Sequence, residues 1–277
     1  MHPKPKLGTA AFLHQLEHEP GLRAFVRDHD RDIELRDLVE IGALDDGNWL
    51  DTIARAKKFF DGHQGRLGIH GPFWGLAVDT PDPEIRAIIQ RRFDTALTAL
   101  LTLTEGGHMV LHSPYTTWHH FNRGTFHDDC NGIRDRSLAT LQPLVKRAEH
   151  HGVTLVLENC EDMDPVERLT LAAAFNSRAV QVSLDTGHAH YAHGAHGAPP
   201  VDAHLRSVGP ALAHIHLQDA DGFADRHWAL GRGTIHWHEV FSALADSGQS
   251  PLLILEMAEP KDILVSAKYL SDQGLAL

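Results

Sequence analysis

Six places along this sequence end an apolar run in a side chain that binds metals or moves protons. RLGIHGP ends its run in His70, MVLHSP in His112 and TLVLEN in Glu158. SLDTGH gives Asp185 with His188 three residues on, HIHLQD gives His216, and LILE closes on Glu256. A seventh motif, DRH, supplies Asp225 and His227. Taken singly, an imidazole or carboxylate in such a place can cap a backbone carbonyl or pair with a neighbouring arginine. If the positions converge, several buried carboxylates without a cation would repel one another strongly, so convergence calls for a metal. Mixed imidazole and carboxylate donors suit zinc, manganese or iron, whereas calcium takes oxygen donors only, and the His-rich set leans towards zinc.

Such positions can converge only if the elements carrying them share one end. Short β-rich segments alternate with helix-like ones, the pattern of a parallel sheet covered by helices. The expected strands are Lys6–Ala10, Asp32–Leu38, Arg66–His70, His108–His112, Val153–Glu158, Val180–Asp185, Leu212–Leu217 and Leu252–Glu256. Between them, Ile85, Ile88, Ile89, Phe93, Leu97, Leu100 and Leu101 recur at three- and four-residue steps and predict a helix over Pro83–Glu105, ended by Gly106–Gly107. Similar spacing predicts helices over Ile133–His151, Pro165–Phe175, Val201–Leu212 and Trp237–Ser247, while Gly187–Pro200 reads as a long Gly/Ala/His/Pro loop. An open doubly wound sheet should carry a Gly-rich phosphate turn after its first strand, and none is present. Eight strands in 277 residues therefore predict an α/β fold, a closed (β/α)8 barrel forming one domain over residues 1–277. In such a barrel the C-terminal strand ends and their loops form the active face, which is where these residues fall.

Composition narrows the partners. The formal net charge of -12 repels a phosphate backbone, so nucleic acid is not expected. The longest apolar runs fall well short of a membrane span, and Met1–Thr9 leads into no signal-like apolar run, so a cytoplasmic location is expected. Cys130 and Cys160 form neither a disulfide framework nor a CxxC motif and read as ordinary thiols. Of the 23 histidines, His190, His193, His196, His119–His120 and His236–His238 read as loop polar groups rather than ligands. Nothing in the residues specifies an oligomeric state.

At HGPF, LEN, SLDTGH and above all HLQDADGFADRHWALGRGTI (His216–Ile235), the chain resembles the xylose isomerase-like TIM barrel superfamily, from His70 to Glu256. That superfamily contains sugar isomerases and epimerases and also the apurinic-site nuclease endonuclease IV. The nuclease pattern implies one metal on His70, His112 and Glu158, a second on Glu158, Asp185, His216 and Glu256, and a third on His188, Asp225 and His227. The sugar epimerase pattern implies a single metal on Glu158, Asp185, His216 and Glu256, with Glu158 and Glu256 moving protons and His188 touching substrate.

Because His70, His112, Asp225 and His227 exceed what one metal needs, the leading expectation is a phosphodiesterase-like hydrolase of small phosphoesters. It would carry two or three zinc or manganese ions, with iron as a further candidate, and a metal-bound hydroxide near Glu158. The alternative is a sugar or sugar-phosphate isomerase or epimerase with Glu158 and Glu256 as its acid and base. A third reading, a catalytically silent binding barrel, would require lost ligands. Phe73, Trp74, Tyr115 and Trp118 are expected to wall the substrate pocket and Arg226 and Arg232 to hold a phosphate. Asp219 is expected to orient a ligand imidazole.

Overall fold

A computed structural model describes residues 4–124 and 130–277. In chain order the elements are β1 (Leu7–Ala11), α1 (Leu13–His18), α2 (Pro20–Arg27), β2 (Ile33–Leu35), α3 (Trp49–Phe59), β3 (Leu67–His70), α4 (Pro83–Leu103), β4 (His108–His112), α5 (Thr117–Phe121), α6 (Cys130–His150) and β5 (Thr154–Glu158). There follow α7 (Pro165–Ala174), β6 (Val180–Asp185), α8 (Thr186–His196), α9 (Val201–Val208), β7 (Leu212–Leu217), α10 (Trp237–Ser247), β8 (Leu252–Leu255) and α11 (Pro260–Asp272). The eight strands pair in sequence order, all parallel, and β8 closes back on β1. The chain therefore forms the (β/α)8 barrel that its alternation predicts.

Alternation along the strands divides the core in two. Ile33, Ile69, Met109, Leu155, Ile215 and Leu253 belong to the large cluster that also takes in apolar helix residues, Ile89, Phe93, Leu97 and Leu100 of α4 among them. Their sequence neighbours face the barrel axis, where Ala10, Leu252 and Ile254 form a small apolar cluster and Val110 and Val156 are also buried. Beside them the axis carries polar side chains, with Glu34, His108, Ser183 and His214 all buried. Gly68 gives His108 its place, since a Cβ there would lie 2.1 Å from the His108 ring.

The expected β2 spans only Ile33–Leu35: the Arg36 N–H makes the last bond to β1, at the Ala11 carbonyl, and the Val39 N–H then closes a turn on the Arg36 carbonyl. The expected loop over Gly187–Pro200 is in fact mostly helix: α8 starts where the Asp185 side chain accepts the His188 N–H and stops at Gly197 in a left-handed conformation. Its glycines mark close packing rather than looseness, for a Cβ on Gly187 would meet Gln218 Oε1 at 2.1 Å and one on Gly194 the Gly222 carbonyl oxygen at 2.3 Å. Cys160 is a free thiol, and the Cys130 side chain lies outside the described residues. No helix among the described residues is long and apolar enough to cross a membrane.

Gly194→Ala separates packing from helix propensity. Propensity alone favours alanine by about 1 kcal/mol, but the clash with the Gly222 backbone should reverse the sign, for a net loss of about 1–3 kcal/mol. A denaturant midpoint higher than that of the parent would show that α8 is free to move away.

Candidate metal centre

Strands β3 to β8 each lead to an ionisable residue where their inward-facing alternation meets the C-terminal rim. Register places His112 beside Glu158 and Asp185 beside His216, so neighbouring strands present their donors at matched levels. Nine expected ligands fall into three groups, in each of which the ligating atoms all lie within 4.8 Å of one another: His70, His112 and Glu158; Glu158, Asp185, His216 and Glu256; His188, Asp225 and His227. Glu158 belongs to two of them. The four-residue group is buried throughout, while Asp225 and His227 come from the loop after β7 and stand nearer solvent.

His216 lies at the centre of this arrangement. Its Nδ1 is 2.6 Å from Glu158 Oε1 and 3.4 Å from Glu256 Oε2, while its Nε2 is 3.0 Å from Glu34 Oε1. Backbone carbonyls fix other rings: Nδ1 of His70 bonds Gly71 O, that of His188 bonds Asn159 O, and that of His227 bonds Glu256 O, at 2.8–3.2 Å. Each bond leaves Nε2 free to ligate, which is how metal-binding imidazoles are commonly oriented. Among the carboxylates, Glu158 Oε2 and Asp185 Oδ2 are buried and have no hydrogen-bond partner. Orphaned carboxylate oxygens inside a ring of imidazoles fit a divalent cation.

The electrostatics point the same way. Burial alone would raise Glu158, but His216, His70 and His112 hold it well below the usual carboxylate range. Asp185 is pushed up to about 6, by burial first and by the nearby Glu158 charge. Burial works against the His227 proton, yet the carboxylates of Glu256 and Asp225 outweigh it and raise the imidazole to about 9. Burial drives His112 down to about 3, with His70 and His188 adding to the effect. In the absence of a cation, protons neutralise part of this cluster.

Residues outside the strand-end pattern complete the site. Glu34 of β2 supports His216 from below. Gln218 bonds both Asp185 and Asp225 through its Nε2 and accepts the His227 N–H, so one amide joins the strand-end and loop ligands. Asn159 exchanges two hydrogen bonds with the Asp185 backbone. The QD dipeptide after His216 and the Asn after Glu158 were the available signals for these amides. Asp219 orients no imidazole; it accepts from the backbone of Ala220, Gly231 and Ile235 and from Trp237 Nε1, and so folds the loop that carries Asp225 and His227.

Phe73 stacks on the His112 ring with centroids 4.3 Å apart and reaches Trp74. Trp74 and Trp118 are more than half exposed at the rim, whereas Tyr115 is buried beneath it. Arg226 pairs with Asp221 at 2.9 Å, and both Arg226 and Arg232 lie over the Trp228 ring. His190, His193 and His196 bond Thr234, Ala198 and Tyr191 and join none of the three groups.

Residues 33–273 match the family described as the xylose isomerase-like TIM barrel. Among curated proteins, D-psicose 3-epimerase of Ruminiclostridium cellulolyticum is 26% identical over 193 residues, a match covering 68% of this chain and 61% of that enzyme. A solved D-tagatose 3-epimerase-like protein superposes with a TM-score of 0.75 at 20% identity, covering 98% of both chains. The TTHB071 protein of Thermus thermophilus, in crystals soaked with zinc chloride, gives 0.70 at 24% identity, again with 98% of each chain covered. These comparisons overturn the expected phosphoester hydrolase, since the activities they name are sugar epimerisations. The excess of ligands that suggested hydrolysis counts donors, and donors serve a polyhydroxylated substrate as readily as extra cations. The guanidiniums expected to hold a phosphate are engaged with Asp221 and Trp228.

Cation affinity should depend on pH in a defined way. Below about pH 6 an incoming cation has to displace the proton of Asp185 in addition to any carried by His216. Calorimetry of zinc binding in buffers of different ionisation enthalpy should show proton release growing by about one per cation between pH 7.5 and 5, with affinity falling accordingly. A flat profile would place the cation elsewhere.

Proposed function

The chain belongs to the xylose isomerase-like TIM barrel family, and we propose that it is a divalent-metal-dependent epimerase or isomerase of a small ketose or related sugar. One arrangement carries this reading: Glu158 and Glu256, on β5 and beyond the end of β8, flank His216 Nδ1 at 2.6 and 3.4 Å within a single cation-competent group. The D-psicose 3-epimerase relative supports it.

One zinc or manganese ion on Glu158, Asp185, His216 and Glu256 serves this chemistry, and when bound it polarises adjacent carbonyl and hydroxyl oxygens so that the neighbouring C–H becomes acidic. Two carboxylates at the same carbon then suffice for inversion. One takes the proton from carbon, leaving a planar enediolate, and the other, entering protonated, returns a proton to the opposite face. Glu158 and Glu256 form the acid–base pair, with their roles exchanged between the two epimers. In the cation-free protein burial opposes the charge on both, but His216 holds both below the usual carboxylate range. Arg36, 3.6 Å from Glu256 Oε1, steadies that carboxylate when charged. His70, His112, His188, Asp225 and His227 offer hydrogen bonds to sugar hydroxyls, and Phe73 with Trp74 gives the ring or chain an apolar wall. The charged groups inside the barrel sit away from bulk water, where positioned carboxylates act most strongly.

Incubating zinc- or manganese-loaded protein with D-fructose, D-psicose or D-tagatose in deuterium oxide tests the proposal. NMR should show deuterium entering at the carbon beside the carbonyl together with interconversion of epimers. Glu158→Gln and Glu256→Gln should each reduce both signals by about 10²–10⁴-fold, and chelation should abolish them until metal is restored. Full exchange by either variant, or bis-aryl phosphate hydrolysis with no exchange into any ketose, would falsify the assignment.

A further inference from the structure

Below the strand-end cluster, the barrel axis holds a second set of donors that the chemistry above does not use. Glu34 of β2, His108 of β4 and His214 of β7 each offer an atom within 4.8 Å of the others, and all three are buried. Glu34 Oε2 is 3.1 Å from His108 Nε2 and 3.2 Å from His214 Nε2. Two donors bound tetrahedrally at zinc distances of about 2.0–2.1 Å stand roughly 3.3 Å apart, so these separations are close to those of a ligand set. Nδ1 of His214 is 2.8 Å from Ser183 Oγ, which fixes the ring with Nε2 facing Glu34. That Nε2 is fully buried and faces Glu34 Oε2 without a well-aligned hydrogen bond to it. A buried imidazole oriented through its other edge, with its free nitrogen aimed at a carboxylate oxygen at ligand-set spacing, has the arrangement of a metal ligand.

The surroundings are built for it. Only a glycine at position 68 leaves room for the His108 imidazole, whose ring a Cβ would meet at 2.1 Å. A cavity of about 400 Å³ opens at the N-terminal end of the barrel, among Arg66, Gly107, Gly152 and Ser250 just ahead of β3, β4, β5 and β8, and His108 lines it. Entry from that end is independent of the rim where the sugar would bind.

We propose that Glu34, His108 and His214 form a second, interior site for a divalent cation of the zinc class, reached from the N-terminal mouth and held beneath the strand-end centre. With three protein ligands the site keeps a fourth position for water. Glu34 joins the two levels, since its Oε2 serves the interior site while its Oε1 bonds His216 Nε2.

Crystals of the full chain grown with three equivalents of zinc chloride, with diffraction collected on both sides of the zinc absorption edge, give a direct answer. The expected result is an anomalous peak bonded to Glu34, His108 and His214 and separate from any peak at Glu158 and Asp185. In solution, His214→Gln should lose one equivalent of zinc retained through gel filtration, and cobalt loading should lose the matching part of its tetrahedral visible absorption. If His214→Gln fails to fold, the wild-type anomalous map decides alone. An interior position without a peak while the strand-end centre is filled would overturn the proposal, as would a folded His214→Gln retaining the parent's full zinc complement. An interior peak with an empty strand-end centre would uphold it while removing the cation from the proposed epimerase chemistry.

Discussion

Everything at the active end of this barrel depends on neutralising carboxylates in a place without bulk water. Glu158, Asp185 and Glu256 are buried around His216, with Glu34 beneath. Charges removed from water are tolerated only when paired, hydrogen-bonded or bound to metal. The chain supplies the pairing with imidazoles, and the orphaned oxygens of Glu158 and Asp185 show where imidazoles alone fall short. A cation would complete the neutralisation, and on the proposed epimerase reading the same cation would make a sugar C–H acidic enough to exchange.

The scaffold answers this constraint by giving up apolar packing along its own axis. In most α/β barrels the interior is layered with branched aliphatic side chains. Here the axis keeps a few small or branched apolar side chains, Ala10, Val110, Val156, Leu252 and Ile254, while the outward-facing strand residues and the helices carry the main core. Stability is therefore concentrated between strands and helices, and the axis is free to hold ligands at two levels. Close glycine contacts serve the same end. Gly68 makes room for His108, and Gly187 lets Gln218 approach near enough to tie Asp185 to the loop residues Asp225 and His227.

The strand-end ligands were legible because each follows an apolar run, and a barrel turns that one-dimensional pattern into a ring. Glu34 was not, since DIELRD surrounds it with charges and reads as surface, and only closure of the barrel shows that its alternation points inward. His108 and His214 carried a usable signal. Each sits at an even spacing from a strand-end ligand, four residues before His112 and two before His216, so period-two alternation puts them on the same face. Helix α8 was missed because His, Gly and Ala lack an apolar stripe; its N-cap, Asp185, is the strand-end residue just before it, while its glycine contacts with Gln218 and Gly222 come from partners distant in sequence.

The reaction was the hardest property to read. A ligand inventory counts nitrogen and oxygen donors, and hydrolysis by several cations and epimerisation by one draw on overlapping sets. What separates them is what lies beside the donors. Phosphoryl transfer calls for cationic groups positioned on the equatorial oxygens, and Arg226 and Arg232 are engaged with Asp221 and Trp228. Inversion at carbon calls instead for two carboxylates around one centre, and β5 with the residue after β8 supplies them on either side of His216. On the proposed epimerase reading, the imidazoles and the outer carboxylate that seemed surplus under a one-metal reading would serve as hydrogen-bond partners for a substrate that carries a hydroxyl on nearly every carbon.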